Sequence, residues 1–146
     1  MAIRSAKGTL IKLGDGTSPE VFTTVGQVRS ISGPTTTATV QDVTTHSTAG
    51  NWMEKLAVLI DPGSLSFPIN YDSADATHQF ATGLWDLLVN LTVRGFRCVF
   101  PASIGYLQMD GMVTGHGFDC PVDNVLQANI EVTIFGAISA FNTAEP

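Results

Sequence analysis

"LQANIEVTI", residues 126–134, is the stretch that decides the fold. Leu126, Ala128, Ile130, Val132 and Ile134 fall on one side of an extended chain. Gln127, Asn129, Glu131 and Thr133 fall on the other. A period of two is the signature of a half-buried β-strand. The polar side is nearly uncharged, with Glu131 its one ionisable group, which is unusual for a sheet face washed by solvent.

The same reading works outward from that strand. Leu65, Phe67, Ile69 and Tyr71 alternate with Ser66, Pro68 and Asn70. Pro68 has no N–H to give a ladder, so this strand belongs at an edge or has one side unpaired. Further strands are expected at 8–13, 21–31 (with Gly26 marking a bend), 56–60, 94–100 and 106–114. Turns are expected at 14–20, where Asp15-Gly16 is a favoured hairpin pair, and at 61–64. "GHGFDCPVDN", 115–124, reads as a loop. A single helix is expected over 73–91, capped by Asp72 or Ser73. Its apolar stripe of Ala76, Phe80, Leu84, Leu87, Leu88 and Leu91 would lie on the sheet. The sum is a mainly β (α+β) fold: one antiparallel domain over residues 1–146 with one flanking helix.

Composition narrows the function. The chain has 146 residues, 44% of them hydrophobic, which is enough for one core without metals or disulfides. Its net charge is −6, and its seven Lys and Arg are scattered in sequence. Clustered cations supply nucleic-acid affinity, so a phosphate-binding surface is not expected. The longest apolar run, Leu56–Ile60, is too short to cross a bilayer. The start of the chain lacks the apolar stretch of a secretory signal, so synthesis and folding in cytosol are expected. Cys98 and Cys120 read as free thiols.

No chemistry stands out. His46, His78 and His116 show no metal-ligand spacing. "GDGTS" lacks the Lys of a phosphate loop and the carboxylates of a calcium loop, and reads as a turn. His116, Asp119 and Cys120 in "GHGFDC" suggest a nucleophile site, but a glycine-rich connection accounts for them more simply. No catalytic, cofactor-binding or metal-binding residue is assigned, and no cofactor is expected.

One stretch fits none of these elements. "PTTTATVQDVTTHSTAGNWME", 34–54, holds Asp42 and Glu54 but no Lys or Arg. Its Thr and Val favour extension, yet it is too polar for a core strand. Most of it lies within the longer run "VQDVTTHSTAGNWMEKLAVLIDPGSLSFPINYDSAD" (40–75), which resembles the tail tube proteins of long, non-contractile phage tails, the lambda-like siphophage type. The resemblance rests on Asp42, Val43, Thr44 and Ser47, then Trp52 and Glu54, then Pro62 and Gly63. Leu65, Ser66, Phe67, Tyr71 and Asp72 continue it. Near the other end it uses Tyr106, Gly111 and Val113, the turn at Pro121, Val122 and Asp123, and a long alternating strand closing on Gly136. It spans roughly residues 8–139, and departs where the segment after Pro101 is short.

That family implies a β-sandwich or barrel with a flanking helix, six copies to a ring, and rings stacked into a tube for DNA. It is not enzymatic. The implied partners are further copies of the chain, a tape-measure protein, and tail terminator or tip proteins. DNA would pass without specific binding, and no membrane is involved. The implied place is the virion tail, assembled in the host cytoplasm. Residues 34–55 become an inter-subunit arm, with Asp42, Val43, Thr44, Thr45, Trp52 and Glu54 as contact candidates. The polar faces carrying Gln108, Asp110, Gln127, Asn129 and Glu131 become candidates for the channel wall. No appended immunoglobulin-like domain is expected. The alternatives are a tail terminator or other tail-end protein, the tube protein of a contractile or secretion system, a monomeric β-sandwich binding module, and an enzyme.

Overall fold

The computed structural model describes residues 3–146. Among these residues eight strands are formed: β1 (Leu10–Gly14), β2 (Phe22–Thr24), β3 (Thr37–Asp42), β4 (Lys55–Asp61), β5 (Ser64–Asn70), β6 (Val93–Val99), β7 (Tyr106–Asp119) and β8 (Gln127–Phe141). One α-helix, α1 (Leu84–Val89), precedes β6, and a single 3-10 turn follows it. β3 and β4 pair only with each other, while the other six strands form one antiparallel sheet in the order β2-β1-β6-β7-β8-β5.

The sheet forms because its strands alternate in step. Leu65, Phe67 and Ile69 of β5 stand opposite Val132, Ile130 and Ala128 of β8, and all six are fully buried. Ile11, Phe96, Cys98, Met109 and Val113 extend the same apolar surface across β1, β6 and β7. Burying one such side chain contributes roughly 1.5–3 kcal/mol, so these layers supply most of the fold's stability. The sheet is curled about this core. The chain leaving β2 crosses to the far edge, where Ser32 and Ser66 exchange backbone hydrogen bonds of 2.8 Å and Arg29 N–H donates to the Pro68 carbonyl at 2.9 Å. Pro68 therefore turns its missing donor toward this edge, as its chemistry requires.

Four expectations need correction. The helix is much shorter than 73–91, because Asp72, Asp75 and Thr77 spend their side chains on nearby groups and hold the chain in turns. Buried His78 pins those turns: its Nδ1 accepts from the Asp72 N–H at 3.0 Å and its Nε2 lies 2.8 Å from the Gly26 carbonyl. Leu84 and Leu87 are buried as expected, but Phe80 and Leu91 of the supposed stripe are exposed.

The stretch 115–124 is strand as far as Asp119. A bulge between Val113 and Gly115 shifts the register, so His116 and Phe118 face Ile130 and Ala128 while Gly115 and Gly117 oppose Glu131 and Asn129. The run 21–31 is strand only to Thr24, after which it turns across the sheet. The long last strand does not stop at Gly136 either. That glycine, at φ 70°, sits where the β7–β8 register shifts, and pairing continues to Phe141.

Candidate assembly surfaces

The hairpin β3–β4 leaves the body at Pro34 and returns at Gly63. Its return turn is fixed by Gly63, whose φ of 78° favours glycine and whose missing Cβ makes room for the Thr35 carbonyl. None of the residues of β3 or β4 is buried. Leu56, Val58, Leu59 and Ile60 are 57, 53, 70 and 73% exposed, so the most apolar strand of the chain lies in the open. Among the described residues, nothing pairs the outer rims of this two-stranded sheet.

The tip is ordered by hydroxyls. Asp42 ends β3 and accepts the Thr44 N–H at 2.9 Å, and the Thr44 side chain and backbone bonds hold the Asp42 carboxyl below the usual carboxylate range. The Val43 N–H reaches the Glu54 carbonyl at 2.9 Å, while the Glu54 N–H donates to Thr44 Oγ1 at 2.8 Å. Thr45 and Thr48 close the turn between them. Trp52, 84% exposed, and Met53, 63% exposed, stand beside Glu54 with no protein cover. The arm candidates Asp42, Val43, Thr44, Thr45, Trp52 and Glu54 therefore all lie at one place, the base and rim of the hairpin tip. An extended strand explains the Thr and Val; the sequence reading did not foresee that the strand folds back on β4.

The second surface is the convex face of the curled sheet. Gln127, Asn129 and Glu131 alternate with buried Ala128, Ile130 and Val132, so they point away from the core. Gln108 and Asp110 flank buried Met109 on β7 and share that face. The five wall candidates thus share one face of neighbouring strands but are spread along it, Gln108 opposite Ser139 at one end and Gln127 opposite Asp119 at the other. Across from them, Ser64, Ser66, Pro68 and Asn70 of β5 continue a polar, uncharged surface.

What sequence reasoning missed is how the cations on this face are handled. Lys12 lies opposite Arg97, between β1 and β6. Glu145, far along the chain, bonds Lys12 Nζ and lies 3.1 Å from Arg97 Nη1. Arg97 also donates to Gln108 Oε1 at 2.8 Å and lies 3.9 Å from the Phe22 ring centre. Partial burial pushes the Glu145 carboxyl up, but its bonds to Lys12 and Arg97 outweigh that and hold it below the usual value. A signal was present: both cations sit between apolar neighbours in alternating runs, Ile11 and Leu13, Phe96 and Cys98. Glu131 and Asp110 are exposed on the same face, and Arg29 reaches it at Gln127, so its named charges are close to balanced.

An aromatic group packs behind α1. Trp85 meets the His116 ring edge-on at 5.4 Å, and Phe118, Phe80 and Tyr71 stack around them. Both ring nitrogens of His116 are buried without a partner, and burial holds its pKa below the ordinary histidine value. Asp119 and Cys120 are exposed at the end of β7, outside this nest. Among the described residues no three His, Cys, Asp or Glu side chains gather as metal ligands. Cys98 is buried, which raises its thiol pKa, and Cys120 is exposed; neither is in a disulfide.

The sequence profile described as the lambda phage tail tube protein, TTP, matches residues 6–140. The fold is similar to a chain in the tail of an empty gene transfer agent (GTA) particle refined with C6 symmetry, at 25% identity and a TM-score of 0.74, covering 94% of this chain and 98% of that one. A chain in the virion of a native gene transfer agent particle is similar at 23% identity and a TM-score of 0.72, with the same coverage of 94% and 98%. The SPP1 tail tube is similar at 8% identity and a TM-score of 0.67, covering 94% of this chain and 77% of that one. No curated protein matches by sequence.

Proposed function

The chain belongs to the lambda phage tail tube protein family, and from that membership we propose that it builds a tail tube as a structural, non-enzymatic virion protein, six copies to a ring and rings stacked end to end. The observation that carries the assembly is the hairpin. It exposes an apolar strand and two unpaired rims, which a lone protein ordinarily avoids. A neighbouring copy supplies the missing cover. The body of the molecule closes most of its β5 edge through residues 27–32, which leaves the hairpin and the short β2 as the open edges.

The convex polar face, with Gln108, Asp110, Gln127, Asn129 and Glu131, lines the channel in this reading. DNA must slide past it, so a neutral-to-negative wall is favourable; each phosphate held by a cation would add drag. Glu145 supports this role by engaging two of the cations on that face. A C6-refined tail among the similar structures supports six-fold closure. A tape-measure protein in the channel during assembly, and terminator and tip proteins at the ends, complete the set of partners. DNA passes through without specific binding.

The deciding experiment is deletion of 41–52 joined by a short turn. The variant should remain a folded monomer by circular dichroism and show no tubes by negative-stain microscopy, where the intact chain shows open-ended tubes. Tubes from the deleted chain would sink the arm role. Single rings from the intact chain would favour a terminator. A second test replaces Asp110 and Glu131 by Lys. Tubes should persist while DNA delivery slows, and normal delivery would remove this face from the channel wall.

A further inference from the structure

The N-terminal segment and residues 28–33 enclose a groove of about 850 Å³ that meets the surfaces above only where Arg29 reaches Gln127. Its floor is apolar, made by Val28, Ile31, Cys98, Phe100 and Ile104. Its rim carries Arg4, Lys7 and Arg29, three of the seven Lys and Arg in the chain, and no carboxylate lines it. None of these three cations is in a salt bridge among the described residues. Only Arg29 has a side-chain partner there, donating to Gln127 Oε1 at 2.7 Å.

The hairpin tip is the complement of this groove. Trp52 and Met53 offer exposed apolar bulk beside Glu54 and Asp42; residues 34–54 hold no Lys or Arg, and the nearest cation is Lys55, opposite Asp42. A Trp side chain buries about 150–250 Å² and is favoured as an interface anchor. The same chain cannot make this contact. Its groove borders Gly33, at the root of the hairpin, while the six residues of β3 hold the tip about 20 Å away. Tip and groove thus lie at opposite ends of the hairpin. Such a pair makes a head-to-tail contact, the kind that builds rings or filaments rather than closed dimers.

We propose that the groove lined by Val28, Ile31 and Phe100 receives the Trp52–Glu54 tip of a second copy of this chain, with Arg4 and Lys7 facing Asp42 and Glu54. The proposal rests on the tube reading for its setting and specifies the seat of the arm. Exposed charges act within about a Debye length, roughly 8 Å in cell-like salt, so assembly should weaken as salt is raised.

The test is charge exchange. Arg4→Glu with Lys7→Glu, or Glu54→Lys alone, should each raise the critical concentration for tube formation roughly tenfold or more. One chain carrying all three should recover most of that loss, whereas additive losses would overturn the pairing. All three positions are exposed, and unchanged melting of each monomer verifies folding. Independently, Ser30→Cys with Asn51→Cys in a Cys120→Ser background should give disulfide-linked ladders under mild oxidation. Assembly by the intact chain without rescue or ladder overturns the groove and leaves the tube reading standing. Linked dimers without tubes or rings overturn the tube reading and leave the groove. Neither linkage nor assembly overturns both.

Discussion

β4 and β5 are neighbours in sequence, equal in length and opposite in fate. KLAVLID, 55–61, carries more aliphatic bulk than SLSFPIN, 64–70, yet every residue of β4 is exposed while Leu65, Phe67 and Ile69 of β5 are fully buried. Hydrophobicity therefore does not decide burial here; the presence of a second apolar layer does. β5 lies on β8 with its alternation in register, so one face meets the core. β4 has only β3 beside it, and a two-stranded ribbon has no layer to press against. The exposed apolar strand is a cost left standing in the monomer, which the proposed contact with a second copy would recover.

The sharpest test of that contrast is a matched pair of truncations. Phe67→Ala removes a fully buried ring and should lower monomer stability by about 3–5 kcal/mol in denaturant titration. Leu59→Ala removes a side chain that is 70% exposed and should stay within about 0.5 kcal/mol. Its effect should appear instead as fewer tubes. Equal losses in the monomer would show that the hairpin already has a packed partner within its own chain.

A smaller effect separates the convex face from the core beneath it. Glu145→Ala leaves Lys12 and Arg97, whose side chains are 18% and 12% exposed, without their shared carboxylate. The expected cost is about 1–2 kcal/mol, the range for hydrogen bonds to charged groups after partial screening. An unchanged melting curve would reduce the contact to a surface ion pair of little consequence.

The smallest effect is on pH dependence, and it divides the two regions by window. His116 is held neutral below its ordinary pKa, so below about pH 6.5 the unfolded chain takes up a proton that the folded chain refuses. Its contribution is complete above that pH and fades as pH falls toward the depressed value. Glu145 contributes above about pH 4.3 and loses its contribution as pH falls through its own depressed value. His116→Phe should therefore flatten the stability profile between about pH 7 and 5, and Glu145→Gln should flatten it only below that. A His116→Phe profile that keeps its slope in the upper window would show that the imidazole finds a partner when charged.

The sequence alone settled a good deal. The period of two in 126–134 and 65–69 named the buried faces, because a strand's geometry sends alternate side chains to opposite sides whatever surrounds it. Pro68 placed β5 at an edge for an equally local reason, its missing N–H. The chemistry of 34–54 marked it as an extended stretch too polar for the core, and the order of short patterns along the chain pointed to the family.

Other features were settled only by the tertiary structure. Buried His78 turned a promising helical stripe into turns, through bonds to Asp72 and to Gly26, far away in the chain. A bulge after Val113 made strand of an apparent glycine loop. Glu145 found Lys12 and Arg97 across a separation no spacing rule spans. Each depends on groups distant in sequence meeting in space, and local periodicity carries no information about which distant groups those are.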